Sequence, residues 1–279
     1  MRSVRTKLIS SLLIVVLLTL ALTGCTAFEE IGNYITDALF GDIVTPDGGD
    51  EPEVDEFSLE DAINEITTAK MCALVQLSTK YYNVNRWGEV TDYAISQGSG
   101  VVIMRSTADL NCYVITNAHC VEDNADYKHK SVSIVDFRGN KYTSTGVREG
   151  SVSEKYDLAI VEFHCGNLEV QPINLATENP AIGDTVFALG SPHGQINSIT
   201  VGKAGAYYDS DLIEVDALYH TAPLGSGGSG GALLNTDLEL CGVNFAADIS
   251  EGDFGNGSSI PIESVREYLA DFSIFKLIL

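Results

Sequence analysis

Short runs of strand-forming residues dominate this chain from about residue 70 onward. Each run is rich in Val, Ile, Tyr and Thr, and clusters of Gly, Asn, Asp and Ser separate the runs at intervals of about ten residues. This spacing is typical of all-β sandwiches and barrels. We predict strands at residues 72–78, 100–105, 111–116, 131–136, 158–164, 185–189, 199–206, 212–217, 231–235, 241–246 and 259–261.

Two helices are expected to flank this β-rich region. Ser58 can cap a helix in which Asp61 occupies the third position. Leu59, Ile63 and Ile66 share one face of that helix, which can dock on the domain that follows. Apolar residues recur at helical spacing within residues 262–275, which predicts a closing helix packed against a sheet.

The charge of the chain disfavours two classes of partner. Among 279 residues, 16 are Lys or Arg and 39 are Asp or Glu, for a formal net charge of -23. Binding to a nucleic-acid backbone depends on a basic patch that releases counterions, so we expect no nucleic-acid partner. Electrostatic attraction to anionic lipid headgroups is not expected for the same reason.

The first residues predict export and lipid attachment. Arg2, Arg5 and Lys7 precede an apolar run over residues 8–22, which is the order of a secretory signal peptide. The run ends in the sequence LTGC, which resembles the lipobox of bacterial lipoproteins. The resemblance implies cleavage before Cys25 and lipidation of its thiol. An uncleaved helical anchor with an incidental cysteine is the alternative.

We therefore divide the chain into three parts. Residues 1–24 are expected to be a lipoprotein signal peptide, residues 25–57 an acidic tether and residues 58–279 one folded domain. Scattered Gly and Pro among acids are typical of a linker, and an acidic binding tail is the alternative. A lipidated Cys25 would anchor the domain to the outer face of the bacterial cytoplasmic membrane, in the cell envelope.

Three segments carry residues suited to catalysis. Residues 224–235 (LGSGGSGGALLN) place glycines around a serine, which lets the backbone turn tightly and aim N–H groups at one point. Residues 113–121 (YVITNAHCV) form a strand that ends in a polar turn with His119, and Asp157 stands at the entrance of another apolar strand. The chain order His, Asp, Ser is one of those used by serine-hydrolase triads.

These segments resemble the motifs of chymotrypsin-fold serine proteases, and most of all those of the HtrA/Deg branch of bacterial envelope proteases. TNAHC, YDLAIV and GGSGGALLN are similar to the family's three triad segments. ALGSPHG, CGVNF and SIPIESV match further family motifs in the correct order. The resemblance covers about residues 70–279 and implies a mainly β fold of two six-stranded antiparallel barrels, with a short N-terminal helix and a C-terminal helix.

The same resemblance assigns a role to each residue. Ser229 would be the nucleophile, His119 the general base and then acid, and Asp157 the group that fixes the imidazole tautomer. The N–H groups of Gly227 and Ser229 would form the oxyanion hole. The implied reaction is peptide-bond hydrolysis through an acyl-enzyme, which needs neither metal nor cofactor.

Other residues compete for two of these roles. Ser226 is also followed by Gly-Gly, but the apolar strand begins just after the Gly-Gly of Ser229, as in the family. Asp136 is a weaker candidate for the acid that orients the histidine, because the family's DLAIV pattern begins at Asp157. A single His or Asp in such a domain is more often a structural residue, and their joint order with the glycine loop favours the triad.

Several positions depart from the family pattern. Gly228 stands where relatives have Asn or Asp, Ala232 where they have Pro, and Thr221 where HtrA relatives often have Asp. Gly228 is expected to loosen the oxyanion loop. Only a short helix is expected after Pro261, so the chain is predicted to lack the PDZ domain of HtrA proteases.

Substrate preference is predicted only coarsely. Pro223 lies six residues before Ser229, where trypsin-like enzymes carry the carboxylate that receives Lys or Arg, so cleavage after basic residues is disfavoured. Val243, Asn244 and Phe245 belong to the strand that flanks the substrate in relatives. Phe245 is expected to narrow the pocket toward small or aliphatic side chains.

Five cysteines remain if Cys25 is lipidated, so at least one is free or pairs between chains. Cys112 is the nearest candidate partner of Cys120. Two His-Cys dipeptides, at residues 119–120 and 164–165, raise a zinc site as a rival. Adjacent strand residues point to opposite faces, which makes both members of a pair poor simultaneous ligands.

Two functions of different classes follow. The first is a lipid-tethered extracytoplasmic serine endopeptidase that acts on misfolded or exposed envelope polypeptides. The second is a catalytically silent protease-fold lipoprotein that binds peptides or serves as a scaffold. The sequence leaves the natural substrate, the trigger, the oligomeric state and the disulfide pattern open.

Overall fold

Two closed antiparallel barrels of six strands each make up the domain. The computed structural model describes residues 57–148, 153–166, 169–249 and 253–279. The predicted signal peptide, Cys25 and nearly all of the tether lie outside these residues. Across the described ranges, no helix has both the length and the apolar character that a membrane crossing requires.

The first barrel closes because its strands alternate between buried and exposed side chains. Val75 and Leu77 of the first strand point into the barrel, and Gln76 and Ser78 are partly exposed. The strands pair in the order β1-β2-β3-β6-β5-β4. They are β1 (Leu74–Val84), β2 (Val90–Arg105), β3 (Asn111–Thr116), β4 (His129–Asp136), β5 (Lys141–Arg148) and β6 (Ala159–His164).

The second barrel is more deeply buried along its central strands. Leu240, Val243 and Ile260 are fully buried in a core that also takes in apolar residues of the first barrel and of the terminal helices. The strands pair in the order β10-β11-β12-β9-β8-β7. They are β7 (Thr185–Gly190), β8 (Ser198–Asp209), β9 (Asp216–Gly225), β10 (Ala232–Leu234), β11 (Leu240–Ala247) and β12 (Phe254–Pro261).

Within the described residues, three α-helices accompany the barrels: α1 (Leu59–Glu65), α2 (Ser153–Tyr156) and α3 (Ile262–Ala270). Helix α1 continues into a π-helical turn at Ile66–Lys70, where Ile66 is buried as predicted, whereas Leu59 is exposed. The Ser58 hydroxyl accepts the Asp61 N–H at 3.3 Å, as the sequence predicts for the start of α1. The closing helix is shorter than predicted. After Ala270 the chain turns through i→i−3 bonds into a 3₁₀ turn at Ser273–Phe275, whose Phe275 is fully buried.

The fold class predicted from the sequence is confirmed, and several strand predictions need correction. The strand predicted at residues 212–217 is wrong over most of its length: residues 211–215 form turns and bends with Leu212 exposed, and β9 begins only at Asp216. Strand β12 begins at Phe254, before the predicted residue 259.

Strand β5 was not predicted, because its alternation carries mostly polar residues with half-buried side chains. Strands β1 and β2 extend past the predicted bounds into a long hairpin that reaches Val84 and Val90. On the β1 side Thr79 and Tyr81 are buried, whereas residues 90–97 of β2 are largely exposed and are held by pairing with β1.

The cysteine pairing suggested by proximity in sequence is wrong. Cys112 bonds to Cys165, because β3 and β6 are neighbours and the Cys165 N–H also donates to Leu110. Cys120 is free and buried. Its sulfur lies 2.6 Å from where a Cβ on Gly98 would stand, so Gly98 occupies the place of a bridging partner.

The disulfide gives a first testable prediction. It spans a sequence separation of 53, for which loop-closure entropy contributes about 4 kcal/mol of stability. A reductant should therefore lower the free energy of unfolding of the wild-type chain by up to about 4 kcal/mol in urea titrations. The Cys112→Ala/Cys165→Ala variant should not respond to reductant, and Cys72→Ala should respond like wild type. Equal responses in the first two proteins would contradict the bridge.

Candidate active site

The loop that carries Ser229 is a pair of tight turns. The Gly228 N–H donates to the Gly225 carbonyl at 2.9 Å, and the Gly231 N–H donates to the Gly228 carbonyl at 3.0 Å. Gly227 and Gly230 have φ of 92° and 82°, in the region that favours glycine. The glycine-rich sequence is thus needed for the path of the chain around the serine.

Two peptide groups of this loop are fixed through their carbonyls. The Ser226 carbonyl accepts the His193 N–H at 2.7 Å, and the Gly228 carbonyl accepts the Gly231 N–H. A trans peptide is planar, so the N–H groups of Gly227 and Ser229 point opposite to those carbonyls. Neither N–H donates to an acceptor within the described part of the chain. They are therefore free to bind an external oxygen.

Ser99 ties this loop to the first barrel. Its N–H donates to the Ser229 carbonyl at 2.7 Å, and its hydroxyl donates to the Gly227 carbonyl at 2.7 Å. The same hydroxyl accepts the Ser191 N–H, and the Ser99 carbonyl accepts the Thr116 hydroxyl. Ser99 is fully buried, so these bonds are shielded from water.

Asn244 ties the loop to the second barrel. Its carbonyl accepts the Gly230 N–H at 2.7 Å, and its own N–H donates to the Gly231 carbonyl at 2.9 Å. Its side-chain amide accepts the Ser259 hydroxyl, which in turn contacts the His220 imidazole at 3.0 Å. Burial lowers the pKa of His220 to about 4, so this ring is neutral at physiological pH.

His119 and Asp157 form the second half of the site. The His119 Nδ1 lies 2.7 Å from one carboxylate oxygen of Asp157, and the His119 backbone N–H donates to the other at 3.0 Å. An ionised carboxylate only accepts, so Nδ1 carries the proton and Nε2 is left as the basic nitrogen. Asp157 adopts φ of 52°, a strained conformation held by bonds from Ala118 and Asn117 to its carbonyl.

The serine hydroxyl is turned away from this base. The Ser229 hydroxyl donates to the Phe245 carbonyl at 3.2 Å. Within the described ranges no hydrogen bond joins it to the imidazole. The neighbouring Cys120 sulfur lies 3.8 Å from the Ser229 carbonyl, which places the two segments side by side. A change of the serine χ1 rotamer is the movement that would bring the hydroxyl toward His119.

Comparison with known proteins identifies the fold. A family model described as a trypsin-like peptidase domain matches residues 98–243, which is more than half of the chain. The chain belongs to the trypsin-like peptidase family. The match spans His119, Asp157 and Ser229.

Curated relatives place this trypsin-like domain near the HtrA/Deg proteins. It is 28% identical over 166 residues to Protease Do-like 5, chloroplastic, of Arabidopsis thaliana, which covers 55% of this chain and 51% of that protein. It is 31% identical over 199 residues to serine endoprotease DegS of Escherichia coli, covering 68% and 52%. A probable periplasmic serine endoprotease DegP-like of Chlamydia muridarum is 33% identical over 153 residues, covering 53% and 29%. The chain spans about half or less of these relatives.

Solved structures show the same fold. The serine endoprotease from Yersinia pestis superposes with a TM-score of 0.54 at 24% identity, covering 75% of this chain and 65% of that one. The HtrA-type protease AlgW with a decapeptide gives 0.58 at 22% identity, covering 77% and 67%. The two-barrel architecture of this trypsin-like domain is therefore that of HtrA-type proteases.

The competing residues have structural roles in the trypsin-like domain. The Asp136 carboxylate accepts bonds from Arg138, Asn140 and Tyr142 within one turn of the first barrel. The Ser226 carbonyl accepts a hydrogen bond from the His193 N–H, as described above. Groups of three or more His, Cys, Asp or Glu suited to a metal ion are absent from the described residues.

The predicted substrate strand is buried through its side chains. Val243 and Asn244 are fully buried, and Phe245 is 5% exposed. Val243 pairs with Ala232 and Ile260, and both main-chain groups of Asn244 are bonded to the nucleophile loop. Of the three predicted residues, only Phe245 has a main-chain group that contacts the Ser229 hydroxyl. The structural roles of Ser99 and His220 were not predicted from the sequence, because a serine inside a strand and a lone histidine carry no distinctive pattern.

The environment of His119 in the trypsin-like domain favours its charged form. Burial lowers its pKa, but the hydrogen bond with Asp157 and the side chain of Cys120 outweigh that effect and raise the pKa to about 10. The His119 side chain is 44% exposed and the Asp157 side chain 15%. A carboxylate this close thus prepares the imidazole to receive a proton.

The raised pKa of His119 gives a second prediction. An NMR titration of the His119 ring should show a midpoint well above 6.5 and toward 10, and Asp157→Asn should lower it. Since the folded pKa is raised, the pair's contribution to stability is full below pH 6.5 and is lost as pH rises toward 10. A wild-type midpoint at or below that of Asp157→Asn would contradict this account.

Gly230 gives a third prediction. A Cβ at this position would overlap the Ser99 carbonyl oxygen and the Thr116 hydroxyl. Gly139 has a similar φ, 86°, but no atom lies within 4 Å of a Cβ placed there. Gly139→Ala should cost about 1–2 kcal/mol of stability from backbone strain alone. Gly230→Ala should cost at least about 2 kcal/mol more in urea denaturation. Equal losses would show that the close approach to Ser99 is unimportant.

Proposed function

We propose that the chain is a serine endopeptidase in which Ser229, His119 and Asp157 form the catalytic triad. The observation that carries this proposal is the 2.7 Å contact between His119 Nδ1 and Asp157, which leaves Nε2 as the nitrogen that can accept the serine proton. The free N–H groups of Gly227 and Ser229 supply the oxyanion hole. The names of the relatives support the same class of reaction.

The proposed reaction begins when the Ser229 hydroxyl leaves the Phe245 carbonyl and donates to His119 Nε2. His119 takes the proton as the serine oxygen attacks the substrate carbonyl carbon. The carbonyl oxygen becomes an oxyanion that accepts from the N–H groups of Gly227 and Ser229. His119 then protonates the leaving amine, the C–N bond breaks and an acyl-enzyme remains. Water then attacks the acyl carbon with His119 as the base, and the ester bond to Ser229 breaks as His119 returns the proton to the serine oxygen.

The proposed site of action is the cell envelope. The signal-like N-terminal run and the LTGC sequence support export and lipidation of Cys25, with attachment to the outer face of the bacterial cytoplasmic membrane. Chlamydial relatives carry the word periplasmic in their names. Misfolded or exposed extracytoplasmic polypeptides are the proposed substrates, and no cofactor is required.

One observation favours a second candidate, a catalytically silent module that binds peptides. The Ser229 hydroxyl is bonded to the Phe245 carbonyl instead of the imidazole. A module of this kind would keep the barrel and the cleft without turnover. Against this candidate, catalytic hydrogen bonds often tighten only in the substrate complex.

An active-site-directed fluorophosphonate tests the proposal. It should label the wild-type chain and Ser226→Ala, and it should not label Ser229→Ala. Casein hydrolysis should fall by about 10⁶-fold in His119→Ala, because the serine then lacks its base. The kcat/KM of wild type should rise with pH through the alkaline range as His119 loses its proton.

The silent-module candidate makes the opposite prediction. A folded wild-type chain that resists the fluorophosphonate at every pH would support it and would overturn the peptidase proposal. Labelling of Ser229→Ala at the same rate as wild type would show that another residue reacts.

A further inference from the structure

Three buried polar side chains form a hydrogen-bonded network in the core of the second barrel. His220 of β9, Ser259 of β12 and Asn244 of β11 are all fully buried, although this core is mainly apolar. The His220 Nε2 lies 3.0 Å from the Ser259 hydroxyl, which donates to the Asn244 side-chain oxygen at 2.8 Å. Burial of polar groups is costly even when they are paired, so packing alone does not account for this buried polar network.

Strand pairing explains how the three side chains meet. Asn244 stands directly opposite Ser259, and Gly257 stands directly opposite His220. A Cβ on Gly257 would overlap the imidazole, so the ring occupies the space that the glycine leaves open. From there the ring reaches diagonally to Ser259, two residues further along β12. The geometry of the network therefore depends on a glycine as well as on its polar members.

The hydrogen bonds of the network run in one direction. The Ser259 hydroxyl has one proton, which it gives to Asn244, so it can only accept from His220. Because burial lowers the pKa of His220 to about 4, the ring carries one proton at neutral pH, and the network places it on Nε2. The buried Nδ1 has no hydrogen-bond partner among the described residues. The imidazole thus acts as a donor to Ser259.

The far end of the network is the nucleophile loop. With its oxygen held by the serine hydroxyl, the Asn244 amide turns its NH₂ group toward the Ala232 carbonyl, to which it donates at 2.9 Å. The opposite orientation of the amide would set two oxygens against each other at this carbonyl. The main chain of Asn244 also bonds to Gly230 and Gly231, as described above. Asn244 therefore holds all three residues that follow the nucleophile.

We infer that His220 and Ser259 are positioning residues for the proposed peptidase reaction: they act through Asn244 to hold the nucleophile loop in its reactive conformation. Neither residue belongs to the triad or to the oxyanion hole. The N–H groups of the proposed oxyanion hole belong to this loop, and such donors are effective because they are oriented before the reaction. The inference rests on the proposed function for the reaction itself, but the restraint on the loop can be measured without activity.

Ser259→Ala removes the centre of the network, and Ser258→Ala is its matched control. Ser258 is the neighbouring residue on β12 and is also buried, but its hydroxyl contacts the Tyr208 hydroxyl at 2.8 Å, outside the network. The second-order rate constant of fluorophosphonate labelling is measured on the full-length chains. It should fall about tenfold in Ser259→Ala, less than the 10²–10³-fold cost of losing one oxyanion donor. In Ser258→Ala it should equal that of wild type.

Two substitutions of His220 test whether this residue acts through Ser259. His220→Leu removes one hydrogen-bond donor and should lower the labelling rate about threefold. The side-chain amide of His220→Gln can donate to Ser259 and should restore the wild-type rate. Because the two residues act in series, His220→Leu should cause no further loss in a Ser259→Ala background. All rates are measured at a temperature at which circular dichroism shows each variant to be folded.

Hydrogen exchange measures the restraint on the loop without any reaction. In Ser259→Ala, the exchange rates of the Gly230 and Asn244 N–H groups, measured by NMR, should rise about tenfold relative to the amides of β1. In Ser258→Ala this ratio should not change. A general loss of stability would raise exchange in both barrels and would leave the ratio unaltered.

Equal labelling and equal exchange in Ser259→Ala and Ser258→Ala would overturn the inference, as would additive losses from His220→Leu and Ser259→Ala. Faster exchange without slower labelling would make the network purely structural and would also overturn it. If Ser259→Ala does not fold, the comparison of His220→Leu with His220→Gln decides, and equal rates in those two variants would overturn the inference.

The same measurements separate this inference from the proposed function. Fluorophosphonate labelling of wild type that does not depend on the network removes this inference and keeps the peptidase. A wild-type chain that resists the fluorophosphonate, while Ser259→Ala still speeds exchange at Gly230, keeps the network as a restraint on the loop and removes the peptidase.

Discussion

The buried hydrogen bonds of Ser99 hold the site together. One backbone N–H and one hydroxyl fix the carbonyls of Ser229 and Gly227, so the nucleophile loop of the second barrel is positioned by a strand of the first. Buried polar groups are costly when unpaired, and the N–H, hydroxyl and carbonyl of Ser99 each have a partner. These shielded bonds favour the observed conformation of the nucleophile loop over its alternatives. The orientation of the N–H groups of Gly227 and Ser229, the proposed oxyanion donors, depends on these bonds from Ser99.

The two halves of the site are prepared differently. The nucleophile loop is held by backbone bonds and by glycines with left-handed φ, and Asn244 and His193 fix its two ends. The base is held by one short contact between His119 and Asp157. The serine hydroxyl is bonded to the Phe245 carbonyl, so under the proposed mechanism it must exchange this partner for His119 before reaction.

The sequence predicted much of this arrangement because its signals are local. Strand-forming runs, turn glycines, an Asp before an apolar strand and a His after another are local signals, and their resemblance to HtrA/Deg motifs implied the two barrels and the pairing of His119 with Asp157. Strand β5 escaped prediction because its alternation is polar, and the Cys112–Cys165 bridge did so because it depends on which strands become neighbours. The role of Ser99 was not predicted for the same reason, since it depends on hydrogen bonds to residues far away in the sequence.

A crystal structure of the chain after reaction with a phosphonate inhibitor tests the central claim most directly. The account predicts phosphorus bonded to Ser229 Oγ, a phosphonyl oxygen within hydrogen-bonding distance of the N–H groups of Gly227 and Ser229, and His119 Nε2 facing the adduct. It also predicts that the Ser99 bonds to Ser229 and Gly227 persist. An adduct whose phosphonyl oxygen points to solvent, or a loop detached from Ser99, would contradict it.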